Sequence, residues 1–351
     1  MIRILAAISC AIALSPGAFA QSDMPDTAPE MTGGTDHDAV TERALAVLDR
    51  QFDRFRVAAG RLEATAVAYC DGAVSDAEIR DALREAWLAW APLDSYQFGP
   101  VEQLGAALRV NFWPDKKNFV GRGLDALMSL PEEAQRDPAR VADGSAAAQG
   151  LPAMERLVYT DLEPCPTVVG VSARISGLAQ DLYDGWFAPD GWADLARAAG
   201  PENPIYLSSE EFTRTLFTAL TFGLTRVADY RLARPMGTYE RSYPRRAEAW
   251  RAGLTNDIVV AQLDGLEELV EGGFAEDLDT EDRERILQLF EKARVVEDRI
   301  SAPIAVAVED PMTRIRVEAL QTVVRQLQLE VAEDLGASLG VDAGFSAADG
   351  D

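Results

Sequence analysis

The sequence predicts an all-α protein made of two antiparallel helical bundles packed side by side. Three observations carry this prediction. Apolar residues recur at three- and four-residue spacing through runs far longer than a strand. No pair of segments alternates polar and apolar residues in the way a sheet would require. Proline and glycine collect in short clusters between the apolar runs, as loops between neighbouring helices do.

The first strong run is Leu45, Leu48, Phe52, Phe55, Ala59, Leu62, Ala66 and Tyr69, one long amphipathic helix. Ser75 with Glu78 predicts a capping box for the next helix, which carries Trp87 and Trp90. Pro92, Gly99, Pro100 and Pro114 break the region that follows, and a short helix over Arg122 to Met128 ends before Pro131. A helix begins near Leu151, with Pro152 suited to its first turn. Val168 to about Trp186 is helical. Ser208 with Glu211 predicts a second capping box, for a helix that runs to Arg234 and stops at Pro235. Pro244 opens a helix that ends at Gly272-Gly273. Ile286, Leu289, Ala293, Val296 and Ile300 mark one further seam, and Val317, Leu320, Val324, Leu327 and Val331 mark the last. The expected organisation is a signal peptide over 1–20, a disordered acidic linker over 21–38, bundles over 39–165 and 166–342, and a flexible tail over 343–351.

Arg3, the apolar run Ile4 to Leu14 and the small-residue site Ala18-Phe19-Ala20 predict export to the periplasm with cleavage after Ala20. Cys10, after Ala7-Ile8-Ser9, offers the alternative of a lipoprotein site. The apolar run is shorter than the roughly 20 residues a membrane span needs, and no later stretch is long enough either. The chain has a formal charge of -25. Such a charge disfavours nucleic acid and anionic lipid, and it suits cations or basic partners as well as plain solubility. Cys70 and Cys165 remain after cleavage, and an even count in an exported chain predicts a disulfide.

The chain has one histidine, His37, in an acidic, Pro- and Gly-rich stretch ahead of the first clear helix. Histidine-assisted nucleophiles and histidine-rich metal cages are thereby excluded. Any site must use carboxylates, arginines, hydroxyls, aromatics or backbone. Two segments look over-specified for packing alone. One runs from Asn111 through Phe112, Trp113, Pro114, Asp115, Lys116 and Lys117 to Asn118. The other is Gln149 to Leu157, where Gly150 and Pro152 set a helix start and Glu155 falls in its first turn. A carboxylate there serves either a ligand or the helix dipole. Trp87, Trp90, Trp113, Trp186 and Trp250 read as core.

These segments, FWPDKKN and QGLPAMERLVY, together with the Arg234-Pro235-Met236-Gly237 helix end, resemble the imelysin-like family from about Val40 to Leu339. The resemblance implies an exported protein of two helical bundles linked to iron uptake in bacterial envelopes. Some members were classed as metallopeptidases for a Gly-x-His-x-x-Glu motif. Here Gly150 and Glu155 keep that motif, but its histidine position is Pro152, which has no ligand atom, so zinc peptidase chemistry loses its support. What remains is a carboxylate site. Glu155, Asp115 and Glu102 are candidates for holding iron or another hard cation through oxygen. Alternatively, Glu155 pairs with an arginine such as Arg226, Arg231 or Arg234 and binds nothing. The expected function is a non-catalytic binding component of an iron-related envelope system. A metallopeptidase and an envelope interaction scaffold stand as alternatives, with iron or haem as ligand and an envelope protein as partner.

Overall fold

The computed structural model describes residues 34–160 and 164–342. The segments expected as signal peptide and C-terminal tail, and most of that expected as acidic linker, lie outside the described residues. Among the described residues every regular element is a helix, so the all-α expectation holds. No helix among them is long and apolar enough to cross a membrane.

The first helix, His37–Cys70, opens with the Asp36 side chain accepting from the Ala39 amide. Its apolar stripe (Leu45, Leu48, Phe52, Phe55, Ala59, Leu62 and Ala66) is wholly buried. Burying a large apolar side chain contributes roughly 1.5–3 kcal/mol, so this stripe is a principal source of the fold's stability. The stripe serves both halves of the chain. The first helix packs against Asp76–Trp90 and Cys165–Phe187, and also against Ser209–Thr225 and Val270–Phe274. Cys165–Phe187 in turn packs on the short helices Glu132–Arg136 and Pro138–Asp143. A disulfide joins Cys70 to Cys165, across 95 residues of sequence. A loop of that length gives about 4–5 kcal/mol in the chain-entropy picture, as an upper figure.

The Ser75–Glu78 capping box forms as predicted. The second one does not. Ser208 is the N-cap of Ser209–Thr225 but makes no side-chain cap bond, and Glu211 accepts from the Leu207 amide instead. The helix expected to stop at Pro235 continues through it to Met236, and Gly237 ends it at a φ of 64°. A π-helical stretch, Arg226–Leu232, precedes the proline. Such widening lets a helix absorb a residue that has no N–H to offer the carbonyl one turn back. The helix expected from Pro244 is instead a single turn, Pro244–Arg246, and regular helix resumes only at Thr255–Leu269. Between them Ala249 takes a φ of 48°, so the chain folds inward rather than winding on. His37 is the first residue of the first helix, and its Nδ1 lies 3.1 Å from the Thr213 hydroxyl.

Candidate functional site

Three segments distant in sequence wall one cavity of about 740 Å³. The first wall is the Trp113 corner. The Trp113–Pro114 peptide is cis. Asp115 then turns its carboxylate back onto the amides of Phe119 (2.7 Å) and Val120 (3.0 Å), which lie at the start of the Phe119–Met128 helix. The orphan donors of that first turn are thus satisfied by a side chain. Asn118 takes a left-handed φ of 55°, and its Oδ1 accepts from Arg156 Nη1 at 2.6 Å.

The second wall is the Leu151–Val158 helix. Gly150 precedes it, and a Cβ there would fall 2.2 Å from the Val110 carbonyl oxygen. Only glycine lets the backbone approach that closely. Pro152 occupies the first turn, where its missing N–H costs nothing, and its ring faces the cavity. Glu155 is buried. Its Oε1 accepts the backbone amides of Arg251 (2.8 Å) and Ala252 (3.0 Å), and Oε2 lies 3.4 Å from Arg251 Nη1. Burial pushes the Glu155 carboxyl above its ordinary pKa, against the opposing pull of the two amides and Arg251.

The third wall is the inward fold between Gly237 and Leu254. It brings Arg245, Arg246, Trp250 and Arg251 to the cavity. Glu248 on the same segment points the other way and is fully buried. Its Oε1 accepts from Trp87 Nε1 (3.0 Å) and Asn111 Nδ2 (2.7 Å), and its Oε2 from Arg231 Nε (2.8 Å). Arg231 also reaches Asp94 at 3.0 Å and donates to Gln262. Asp94 pairs in addition with Arg226. Two guanidiniums and two carboxylates therefore form a neutral, hydrogen-bonded cluster under the cavity. Burial lowers the pKa of Arg226, but Asp94 and Glu248 outweigh it, so the net shift is upward.

Of the residues singled out from sequence, Trp113, Asp115, Asn118, Pro152, Glu155 and Arg234 line this cavity, and Gly150 sets the turn behind it. Glu102 does not join them. The short helix Pro100–Gln103 places it on a separate depression beside Trp192 and Tyr206. The partner of Glu155 is Arg251, not Arg226, Arg231 or Arg234. Arg226 and Arg231 are taken by the buried cluster, and the Arg234 guanidinium lies over the rings of Tyr230 (4.0 Å) and Trp113 (5.6 Å). Trp87, Trp90 and Trp186 are core, as their spacing suggests. Trp113 and Trp250 instead face the cavity, with Arg251 4.4 Å from the Trp250 ring centre. Sequence reasoning missed Asp94, Glu248 and the arginines of the third wall, and it gave Arg231 and Trp250 other roles, as a partner for Glu155 and as core. A signal for the third-wall arginines was present: Arg241, Arg245, Arg246 and Arg251 fall within eleven residues of a strongly acidic chain.

Residues 50–331 match the family model for imelysin. The chain belongs to the imelysin family. Its fold is that of an imelysin-like protein from Psychrobacter arcticum 273-4, with a TM-score of 0.74 at 18% identity, over 88% of this chain and 97% of that one. It is also similar to a protein from Parabacteroides distasonis ATCC 8503 described as an iron-regulated protein A precursor. That match has a TM-score of 0.67 at 13% identity, over 86% of this chain and 96% of the other. No curated protein matches the sequence.

The donor set at the imelysin motif of this chain does not fit a metal centre. Pro152 offers no ligand atom, and Glu155 Oε1 already accepts two amides. Among the described residues no three His, Cys, Asp or Glu side chains converge on a point a cation could occupy.

Proposed function

We propose that this imelysin-family protein is an exported, non-catalytic binding component of an iron-related envelope system, and that it takes its ligand in the cavity between the Trp113 corner, the Glu155 helix and the Arg245–Arg251 segment. One observation carries the reading. The cavity is of ligand size, yet Asp115 gives both carboxylate oxygens and Glu155 its Oε1 to backbone amides, with Glu155 Oε2 beside Arg251 Nη1. A general base or metal ligand would need those oxygens turned toward the ligand. The iron connection rests on the family and on the similar protein described as iron-regulated. Periplasmic location rests on the sequence of residues 1–20, with a mature chain beginning at Gln21. A protein of the envelope that delivers or receives the ligand is the partner this reading implies.

Calorimetry and thermal shift on the mature chain, with ferric, ferrous and haem ligands both bare and chelated, test the proposal. Saturable binding of at least one is the expected result. No heat and no shift with any of them would overturn it. Chelator-sensitive cleavage in a peptide-library digest would overturn the non-catalytic part. The mass of the exported protein would show whether the chain begins at Gln21.

A further inference from the structure

We propose that the cavity is a receptor for a small polycarboxylate, free or as the chelate of a ferric ion. This rests on the reading above that the cavity is the binding site, and it names the ligand's chemistry. The lining holds six cationic side chains, Lys116, Arg156, Arg234, Arg245, Arg246 and Arg251, against two acidic ones, Asp115 and Glu155. That balance inverts that of the whole chain, which has 58 acidic residues against 33 basic ones. In such a chain a cation finds a carboxylate neighbour easily. Arg43, Arg285 and Arg294 each hold more than one.

The cavity withholds such neighbours. Among the described residues no carboxylate lies within ion-pair distance of Lys116, Arg156, Arg245 or Arg246, and Arg251 has only Glu155. Of the acids present, Asp115 is engaged through both oxygens by backbone amides, and Glu155 by two amides at Oε1 and by Arg251 at Oε2. The guanidiniums meanwhile are held by neutral surfaces. Arg246 lies 3.8 Å from the centre of the Tyr243 ring, Arg245 lies 5.5 Å from that of Trp250, and Arg156 donates to the Asn118 amide oxygen. Aromatic and amide partners fix a guanidinium without neutralising it, so its N–H fork stays available for a planar oxyanion.

Several forks around one lumen suit a ligand with several carboxylates better than a single-charge anion. The volume of about 740 Å³ accommodates such a molecule with room for a bound ion. A hard ferric ion prefers oxygen donors. The ligand's own carboxylates would supply them, which reconciles an iron-related family with a cavity that has no metal cage.

The test is calorimetry on the full mature chain at low ionic strength with citrate, ferric citrate, inorganic phosphate and ferrous sulfate. One-to-one binding of citrate or ferric citrate is expected, weakened at least tenfold in Arg245→Gln/Arg246→Gln and weakened again by added salt. Both side chains are exposed, so an unchanged melting curve will show that the variant folds. Arg283→Gln/Arg299→Gln, away from the cavity, should bind as the parent does. No binding of either citrate form overturns the inference, as does binding that the cavity variant leaves unchanged, or phosphate binding without citrate binding. The two readings separate cleanly. Ferrous sulfate binding alone would keep the iron-related function and sink the polycarboxylate. Citrate binding that iron does not strengthen would support the polycarboxylate and count against the iron connection.

Discussion

The cluster beneath the cavity and the lining of the cavity itself are built from the same residue types, yet they are wired in opposite ways. Below, Arg226 and Arg231 share Asp94, and Arg231 also holds Glu248, with Trp87, Asn111 and Gln262 satisfying further lone pairs and N–H groups. Above, Arg156, Arg245 and Arg246 rest on aromatic and amide groups. A buried cluster whose charges pair with one another fixes geometry, and here it leaves only Arg226 Nε and Asn111 Oδ1 without a hydrogen-bond partner. A cluster left open to a lumen has its donors to spare. Arginine content therefore does not mark the site; the absence of a carboxylate partner does. The arginines of the Gly237–Leu254 fold sit on one side of this divide and Glu248 on the other, and the left-handed turn at Ala249 makes that possible.

The largest expected effect lies in the buried cluster. Glu248→Ala takes from the Arg231 guanidinium one of its two carboxylates, leaving it Asp94 and Gln262, and strands two neutral donors in the core; breaking a buried pair costs up to about 3–5 kcal/mol. Chemical denaturation should show this as a lower midpoint with little change in slope. A cost below about 1 kcal/mol would mean that the cluster does not hold the third wall, and the contrast drawn above would fail.

Glu155 stands between the two regions, and its variants sharpen the comparison. Glu155→Ala leaves the Arg251 and Ala252 amides without an acceptor, an expected cost of about 2–6 kcal/mol at one to three per stranded group. Glu155→Gln keeps an oxygen where Oε1 now accepts both amides and loses only the contact with Arg251, so it should cost about 1 kcal/mol or less. Equal losses for the two variants would show that the charge, not the oxygen, secures the turn.

The pH dependence follows from the same residue. Burial holds the Glu155 carboxyl above its ordinary 4.5, so the folded state keeps its proton longer than the unfolded chain. The contribution of this group is fully present below pH 4.5 and is lost as pH rises through the folded-state value. Glu155→Gln cannot titrate. Measured against the parent, it should gain relative stability as pH climbs from about 4.5. A difference that stays flat, or runs the other way, would mean that Arg251 and the amides outweigh burial.

Most of the helical frame was legible because its cause is local. The stripe from Leu45 to Ala66 and the seam from Val317 to Val331 are buried as their spacing requires. Half of the cavity was legible too, since the Trp113 corner and the Gly150–Glu155 turn carry residue types that plain packing does not need. The third wall was hidden for a physical reason. Residues 244–254 are read locally as a helix opened by Pro244, whereas the segment folds inward to deliver Glu248 to Trp87, Asn111 and Arg231, partners from three other segments. Nothing in the local pattern encodes that demand. The Ser208–Glu211 pair fails similarly, because Glu211 reaches one residue further back, to the Leu207 amide.

The smallest effect on stability is expected in the lining, and it is the sharpest test of the contrast. Arg245 and Arg246 are exposed and have no carboxylate partner among the described residues, so Arg245→Gln/Arg246→Gln removes no ion pair. What it removes is two cation–ring contacts, worth about 0.5–1 kcal/mol each at exposed sites at most. It also removes the mutual repulsion of two adjacent guanidiniums that share the lining with Arg251 and Lys116, which acts in the opposite direction. The two should nearly cancel, leaving a net change within about 0.5 kcal/mol. A loss above about 2 kcal/mol on denaturation would place these arginines with the buried cluster as structural groups, and the division between closed and open charges would have to be redrawn.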